Sequence, residues 1–327
     1  MKIAVTGANG HIGCNLCRQL IERGHQVRAL VHRNDQGIKG LPMDFVRGDL
    51  MDPASLSHLV EEVEVVFHLA AVISIKSRQK DEIFEQNVGG TKRIIEASQK
   101  ARIRRFIHFS SIHALVSEPL DQTLDERRPL ATQDMIIYSW TKALAEEVVQ
   151  ESVKARLNAV ILNPTAVIGP HDYAPSLMGR ALIQMYLRKL PALVKGGYDW
   201  VDVRDVVEAA VKAIEKGKAG ERYILSGHWQ SIQDISRLVS ASSHRKPQRV
   251  SVPVWLAQAV LPFLKLYCRL IGTEPLYSRD SLTILRAGHK NISHEKAAGD
   301  LGFRPRPIKE TIRDALDWYK ESGLINR

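Results

Sequence analysis

The sequence predicts an α/β fold, a doubly wound parallel sheet joined to a smaller, mostly helical C-terminal lobe. Three observations predict it. Short β-branched runs alternate with longer amphipathic segments through the first half, the pattern of βα units covered on both faces. The first such run passes through a glycine-rich turn into the first helical segment. After Pro164 the alternation loosens and helical segments dominate.

Taken in order, strands are expected near 2–6, 26–31, 43–46, 64–67, 104–109 and 157–162, where β-branched and aromatic residues cluster between turn residues. Helices are expected over 11–23, 53–61, 82–100 and 136–154, each starting near a turn or capping residue such as Asp52-Pro53. Later helices are expected over 176–188, 231–242, 253–270 and 307–322, separated by turns such as Gly196-Gly197 and Arg304-Pro305-Arg306-Pro307. A strand-helix pair around 200–216 and a strand at 222–225 are expected to return to the main sheet. The predicted division is therefore 1–165 with 198–226 returning to it, against a substrate lobe of 166–197 and 227–327. No internal repeat is visible.

At 327 residues, 44% hydrophobic and 25% charged, the chain has the composition of an ordinary globular protein and needs no staples. The net charge of +10 suits an anionic ligand, but the basic residues are scattered, so nucleic acid is not an expected partner. Three cysteines cannot build a disulfide framework, and the chain opens directly on the strand-like Lys2-Ile3-Ala4-Val5, so a cytoplasmic protein is expected. The apolar stretch from Val252 to Ile271 is broken by Gln258, Lys265 and Arg269 and carries Pro253 and Pro262. It fails as a bilayer span and reads as a core helix of the lobe rather than a lid or a membrane contact.

The glycine-rich turn reads Thr6-Gly7-Ala8-Asn9-Gly10-His11-Ile12-Gly13. Glycines permit the tight turn and let backbone N–H groups approach a pyrophosphate, while the following helix presents its positive end. Gly7, Gly10, His11, Ile12 and Gly13 are thus the expected contacts of a dinucleotide. An NAD-type ribose meets an acidic side chain about 20 residues further on, at the end of the second strand. That strand ends in Leu30-Val31-His32-Arg33, and His32 with Arg33 suits a 2′-phosphate, so NADP is expected; Asp35 keeps NAD possible. Cys14 and Cys17 spell C-x-x-C, yet both fall in the first helix, where small residues pack against the sheet. They are expected to be buried thiols, and no metal site is expected.

Tyr138-Ser139-Trp140-Thr141-Lys142 sets a phenol and an ammonium at i and i+4, on one face of a helix with Cβ atoms ~5–6 Å apart. A neighbouring cation stabilises a phenolate, so Lys142 is expected to bring the Tyr138 pKa toward neutrality for general acid-base work. The fifth strand ends in Ser110-Ser111 at the carboxyl edge of the sheet, where one of the two hydroxyls is placed to hydrogen-bond a substrate carbonyl.

With these residues and Gly48-Asp49-Leu50, His68-Leu69-Ala70-Ala71, Asn87-Val88-Gly89-Gly90-Thr91 and the stretch from Asn163 to Pro170, the chain resembles the extended short-chain dehydrogenase/reductases, a Rossmann-type superfamily. Within it, the chain is similar to the dihydroflavonol-reductase-like branch. The resemblance implies that Asp49 and Leu50 contact the adenine, that Leu69, Ala70 and Ala71 line the cofactor and that Pro164 borders the nicotinamide. It also implies that Ser111 polarises the carbonyl, that Tyr138 passes the proton and that Lys142 bonds the nicotinamide ribose. Relatives often dimerise through a four-helix bundle, for which the helices near 82–100 and 136–154 would serve in a homodimer.

Sugar-nucleotide epimerases and dehydratases share this machinery. Two departures favour a reductase acting on a small-molecule substrate: Tyr198 stands where nucleotide-sugar enzymes often show Arg, and Asn163-Pro164 begins a reductase-like N-P-x-x-V-x-G-P. Against this, the segments 220–225 and 301–305 are similar to bacterial hopanoid-associated sugar epimerases. A nucleotide-sugar epimerase or dehydratase is therefore the first alternative, and a non-catalytic NADP-binding regulator the second. Val72, Ile73, His113, Ala114, Val167 and Tyr173 follow the motif strands into the crevice and are the expected, mainly apolar, substrate positions.

Overall fold

Lys2–Thr6 (β1) is buried along nearly its whole length, as an apolar strand must be when helices cover both faces of its sheet. It leads through the glycine turn into His11–Glu22 (α1), then Gln26–Val31 (β2), Asp44–Arg47 (β3), Pro53–Val60 (α2) and Val65–His68 (β4). Asp52 starts α2 by accepting from Ala54 N at 3.0 Å and Ser55 N at 3.2 Å, ahead of Pro53. The computed structural model describes residues 1–72, 80–190, 192–242, 246–248, 250–270, 277–286 and 288–325.

The helix expected over 82–100 is a longer helical run in three parts: Lys80–Phe84 (α3), a π-helical turn at Glu85–Gly89 and Gly90–Lys100 (α4). Then come Arg105–Phe109 (β5), a short 3₁₀ turn at Ile112–Ala114, Ile137–Lys154 (α5) and Ala159–Pro164 (β6). The second half contains Ala166–Ile168 (β7), Leu177–Tyr186 (α6), Leu193–Val194 (β8), Gly197–Asp202 (β9), Val203–Lys216 (α7), Arg222–Leu225 (β10) and His228–Ser231 (β11). It closes with Ile232–Ser242 (α8), Ser251–Val252 (β12), Val254–Leu270 (α9), Arg279–Arg286 (α10), Glu295–Leu301 (α11) and Ile308–Glu321 (α12).

The main sheet is seven-stranded, in the order β3-β2-β1-β4-β5-β6-β10, and every neighbouring pair is parallel. Strand order reverses between β1 and β4, where Val5 pairs with Phe67 and Thr6 with His68, and a crevice opens at such a switch point. One face of the sheet packs on α1, α7 and α11, and the other on α2, α4 and α5. A further core gathers α6, α8 and α12 around Trp200.

One expected pairing differs. The strand-helix pair around 200–216 was to return to the main sheet with 222–225; β10 and α7 do, but β9 joins a three-stranded sheet between β7 and β11. A strand followed by an amphipathic helix looks the same in sequence whichever sheet it joins. Which sheet it joins is settled by pairing with β7 on one side and β11 on the other. β7, β8, β11, β12, α10 and α11 are also present, most of them too short to carry a periodic signal.

Candidate active site

The cofactor end is built by close packing. Gly7 has a φ of +71°, and a Cβ there would stand 2.6 Å from Ala70 N; one on Gly13 would stand 2.2 Å from Gly7 O. Only glycine fits, so β1, α1 and the end of β4 close to backbone distance. Thr6 Oγ1 bonds His68 Nδ1 at 2.7 Å and accepts from Ala70 N at 3.3 Å, and Leu69 N donates to Thr6 O at 3.2 Å. The first turn of α1 carries no acidic residue and no side-chain cap, so its positive end is left for an anion. His11 Nε2 and Asn15 Nδ2 both bond Pro170 O, at 3.1 and 3.0 Å, which pins the loop after β7 over this helix. Cys14 and Cys17 are buried free thiols, and burial pushes the Cys14 pKa up to about 12.

Beyond β3, Leu50 is buried and Asp49 accepts from Met51 N at 2.9 Å, with its other oxygen 3.2 Å from His32 Nε2. The carboxylate of Asp35 is held by Arg47 at 2.6 Å. Arg33 is exposed with no ion-pair or hydrogen-bond partner among the described residues. The glycine turn and the uncapped, acid-free start of α1 fit the phosphates of a dinucleotide.

Beyond β5, Ser111 starts the 3₁₀ turn by accepting from His113 N at 3.2 Å. Tyr138 lies in the first turn of α5, edge-on to the His113 ring with centroids 6.3 Å apart. Burial pushes the Tyr138 phenol up, with the Ser111 hydroxyl as a hydrogen-bonding neighbour pulling the other way. The expected downward pull from Lys142 is not among these influences. The reason is geometric, because the fully enclosed Lys142 ammonium donates to Phe109 O at 2.8 Å. Burial lowers the Lys142 pKa to about 8, opposed by the Glu146 carboxylate one turn further on. Ser111, Tyr138 and Lys142 are thus brought together at the carboxyl end of β5, while Pro164 ends the neighbouring β6.

Glu146 was not singled out from sequence, although Tyr138, Lys142 and Glu146 repeat at i, i+4 and i+8. Glu146 is fully buried and accepts from Asn163 Nδ2 and Arg222 Nε, both at 2.6 Å; Asn163 Nδ2 also donates to Ser111 O at 2.9 Å. One carboxylate therefore joins Arg222 to Asn163 and, through Asn163, to the backbone of Ser111. Asn87 was quoted without a role. From the π-helical turn it accepts from Val72 N at 2.7 Å and donates to Val72 O at 3.2 Å and Thr141 Oγ1 at 3.1 Å, fixing the exit of β4 against α5.

The expected substrate positions are not all gathered here. His113 faces Tyr138, and burial lowers its pKa to about 4, so it is neutral at pH 7. Val72 is partly exposed beyond β4, and Val167 is half-buried on β7. Ala114 is fully buried. Tyr173 is held on the outer side of α1, where its hydroxyl accepts from Arg18 at 2.9 Å and its ring meets His171 and Trp318. Ile73 lies outside the described residues. A separate cavity of about 290 Å³ beside α1 is lined by Arg18, Gln19, His171 and Arg204 and shares no residue with the Ser111–Tyr138–Lys142 group. Among the described residues no cluster of three or more His, Cys, Asp or Glu is placed to hold a metal.

Residues 3–226 match the family described as the NAD dependent epimerase/dehydratase family. The chain is 34% identical over 332 residues to sterol demethylase protein B of Methylococcus capsulatus, covering 99% of this chain and 100% of that protein. It is 31% identical to a putative dihydroflavonol 4-reductase of Synechocystis, covering 98% of this chain and 95% of the relative. The crystal structure of gox2253 superposes with a TM-score of 0.85 at 32% identity, covering 99% of both chains.

Proposed function

The chain belongs to the NAD dependent epimerase/dehydratase family, within the extended short-chain dehydrogenase/reductases, and on that premise we propose that it reduces an aldehyde or ketone of a small, largely apolar molecule with NADPH. The observation that supports this most is the adjacency of the Ser111 hydroxyl to the Tyr138 phenol, with Lys142 one turn further along the same helix. When bound, a reduced nicotinamide would supply the hydride for the carbonyl carbon. Ser111 donates to the carbonyl oxygen and Tyr138 delivers the proton that the developing alkoxide needs. Lys142 is left to bond the nicotinamide ribose, its charge sustained in a buried setting by Glu146.

Tyr138→Phe should lower turnover by at least ~10²-fold while cofactor affinity, read by fluorescence titration, stays within twofold or so. Undiminished turnover would assign the proton to another group. The NADP preference is supported by Arg33, which is unpaired among the described residues, and by Asp35, which Arg47 already neutralises. Arg33→Ala is expected to cut kcat/KM with NADPH by roughly tenfold and leave NADH kinetics nearly unchanged.

Epimerisation or dehydration of a nucleotide sugar is the competing reading. Against it, Tyr198 packs edge-on to Trp200 at 5.7 Å and its hydroxyl donates to Ser281 O, so this position offers no cation to a sugar nucleotide's phosphates. Incubation with NADPH and a panel of aldehydes, ketones and nucleotide sugars separates the readings. Net oxidation of NADPH is expected; isomerisation of a nucleotide sugar without net cofactor turnover would replace the reductase assignment.

A further inference from the structure

The helix α9 is apolar on two opposite faces. Val254, Ala257 and Leu261 pack into the core that also holds Trp200. On the other side Trp255 is 68% exposed, Val260 49% and Phe263 73%, and Ala259 and Pro262 are exposed between them. At ~100° per residue these five residues occupy one arc of about 160°, and none of them is polar. Val250, just ahead of the helix, is 59% exposed as well. A surface helix ordinarily turns charged residues outward, so a contiguous apolar stripe led by Trp and Phe marks a place where water is displaced by something else.

The charge of this stretch of sequence points to what that is. From residue 235 to residue 273 the sequence contains no Asp or Glu, while Arg245, Lys246 and Arg249 precede the helix and Lys265 and Arg269 fall within it. A second copy of the chain would bring two such acid-free, cationic regions together, and like charges disfavour that contact. An anionic bilayer complements both features, its headgroups attracting an acid-free basic sequence and its acyl boundary receiving Trp and Phe. Among the described residues no helix is long and apolar enough to cross a membrane, so the contact is one of lying on the surface.

We propose that α9 docks this protein on an anionic lipid bilayer, inserting Trp255, Val260 and Phe263 at the interface. This departs from the sequence-based expectation of a core helix without membrane contact: apolar residues fall on two opposite sides of 253–270, and only the packing separates the buried face from the free one. The inference does not depend on the reaction catalysed.

The test is flotation of the full chain with vesicles of phosphatidylcholine alone and of phosphatidylcholine mixed with phosphatidylglycerol. Binding is expected to the mixed vesicles, to weaken as salt is raised, and to fall roughly tenfold or more in a Trp255→Ser/Phe263→Ser variant. Both positions are exposed, so the variant should keep the wild-type melting temperature. A measurement without substitution stands beside it: tryptophan emission should shift to the blue with mixed vesicles and not with phosphatidylcholine. Absence of flotation with mixed vesicles, equal flotation of variant and wild type, salt-insensitive binding, or a solution dimer that the two substitutions dissociate would each overturn the proposal.

Discussion

Glu146 and Asp199 show how one buried carboxylate can serve and another cost. Lys142 has a pKa of about 8, below its ordinary value, so its charge is lost as pH rises through that region. Glu146 opposes the shift. Glu146→Gln should therefore move the alkaline limb of the kcat/KM profile to lower pH, and an unmoved limb would detach that limb from Lys142. Asp199 on β9 accepts from Thr165 Oγ1 and Gly227 N, both at 2.6 Å, yet burial raises its pKa to about 6. A carboxyl with a raised folded pKa holds its proton more tightly when folded, so stability falls as pH rises from about 4 to about 6. Above that range the charge costs on the order of 3 kcal/mol. Asp199→Asn keeps the accepting oxygen, and urea unfolding should find the variant more stable at pH 7 with the gain gone near pH 4.

The β1–α1 unit carries the cofactor argument, and its strictness lies in Gly13. An added Cβ meets Gly7 O at 2.2 Å and the Ala8 backbone below 3 Å, so the helix must move off the sheet. Gly13→Ala should cost about 1–3 kcal/mol in chemical denaturation and weaken NADPH binding in titration, because the N-terminus of α1 shifts with it. The glycine spacing makes this element legible, since each glycine answers a local steric need. The π-helical turn at Glu85–Gly89 was not legible. It is stabilised by Asn87 reaching Val72 and Thr141, and neither contact lies within a window that periodicity can sense.

At the scale of the molecule, the sheet and the C-terminal segment are joined by charge. Asp202 caps α7 and is fully buried; Arg204 holds it at 2.7 Å and reaches Asp314 on α12 at 2.8 Å, while Arg306 chelates Asp205. Arg306→Met leaves Asp205 without its guanidinium partner. The loss should be about 2–3 kcal/mol, below the ~3–5 of a fully enclosed pair because the arginine is partly exposed, and denaturant midpoints measure it. A change under half a kcal/mol or so would make the bridge a surface pair only. β9 was expected in the main sheet because the partners it takes instead, β7 and β11, are strands too short to be marked in sequence.

The alternation of β and α segments through the first half, the glycine turn, the i, i+4 spacing of Tyr138 and Lys142 and the hydroxyls after β5 were readable from the chain, because each is set by interactions within a few residues or by a period of two or 3.6. Packing alone decided that Lys142 turns to Phe109 O, that Glu146 accepts from Asn163 and Arg222, that Tyr173 accepts from Arg18, and that one apolar face of α9 stays uncovered. Those outcomes depend on which distant segments fill the space beside a side chain, and a linear pattern of polarity carries no record of that.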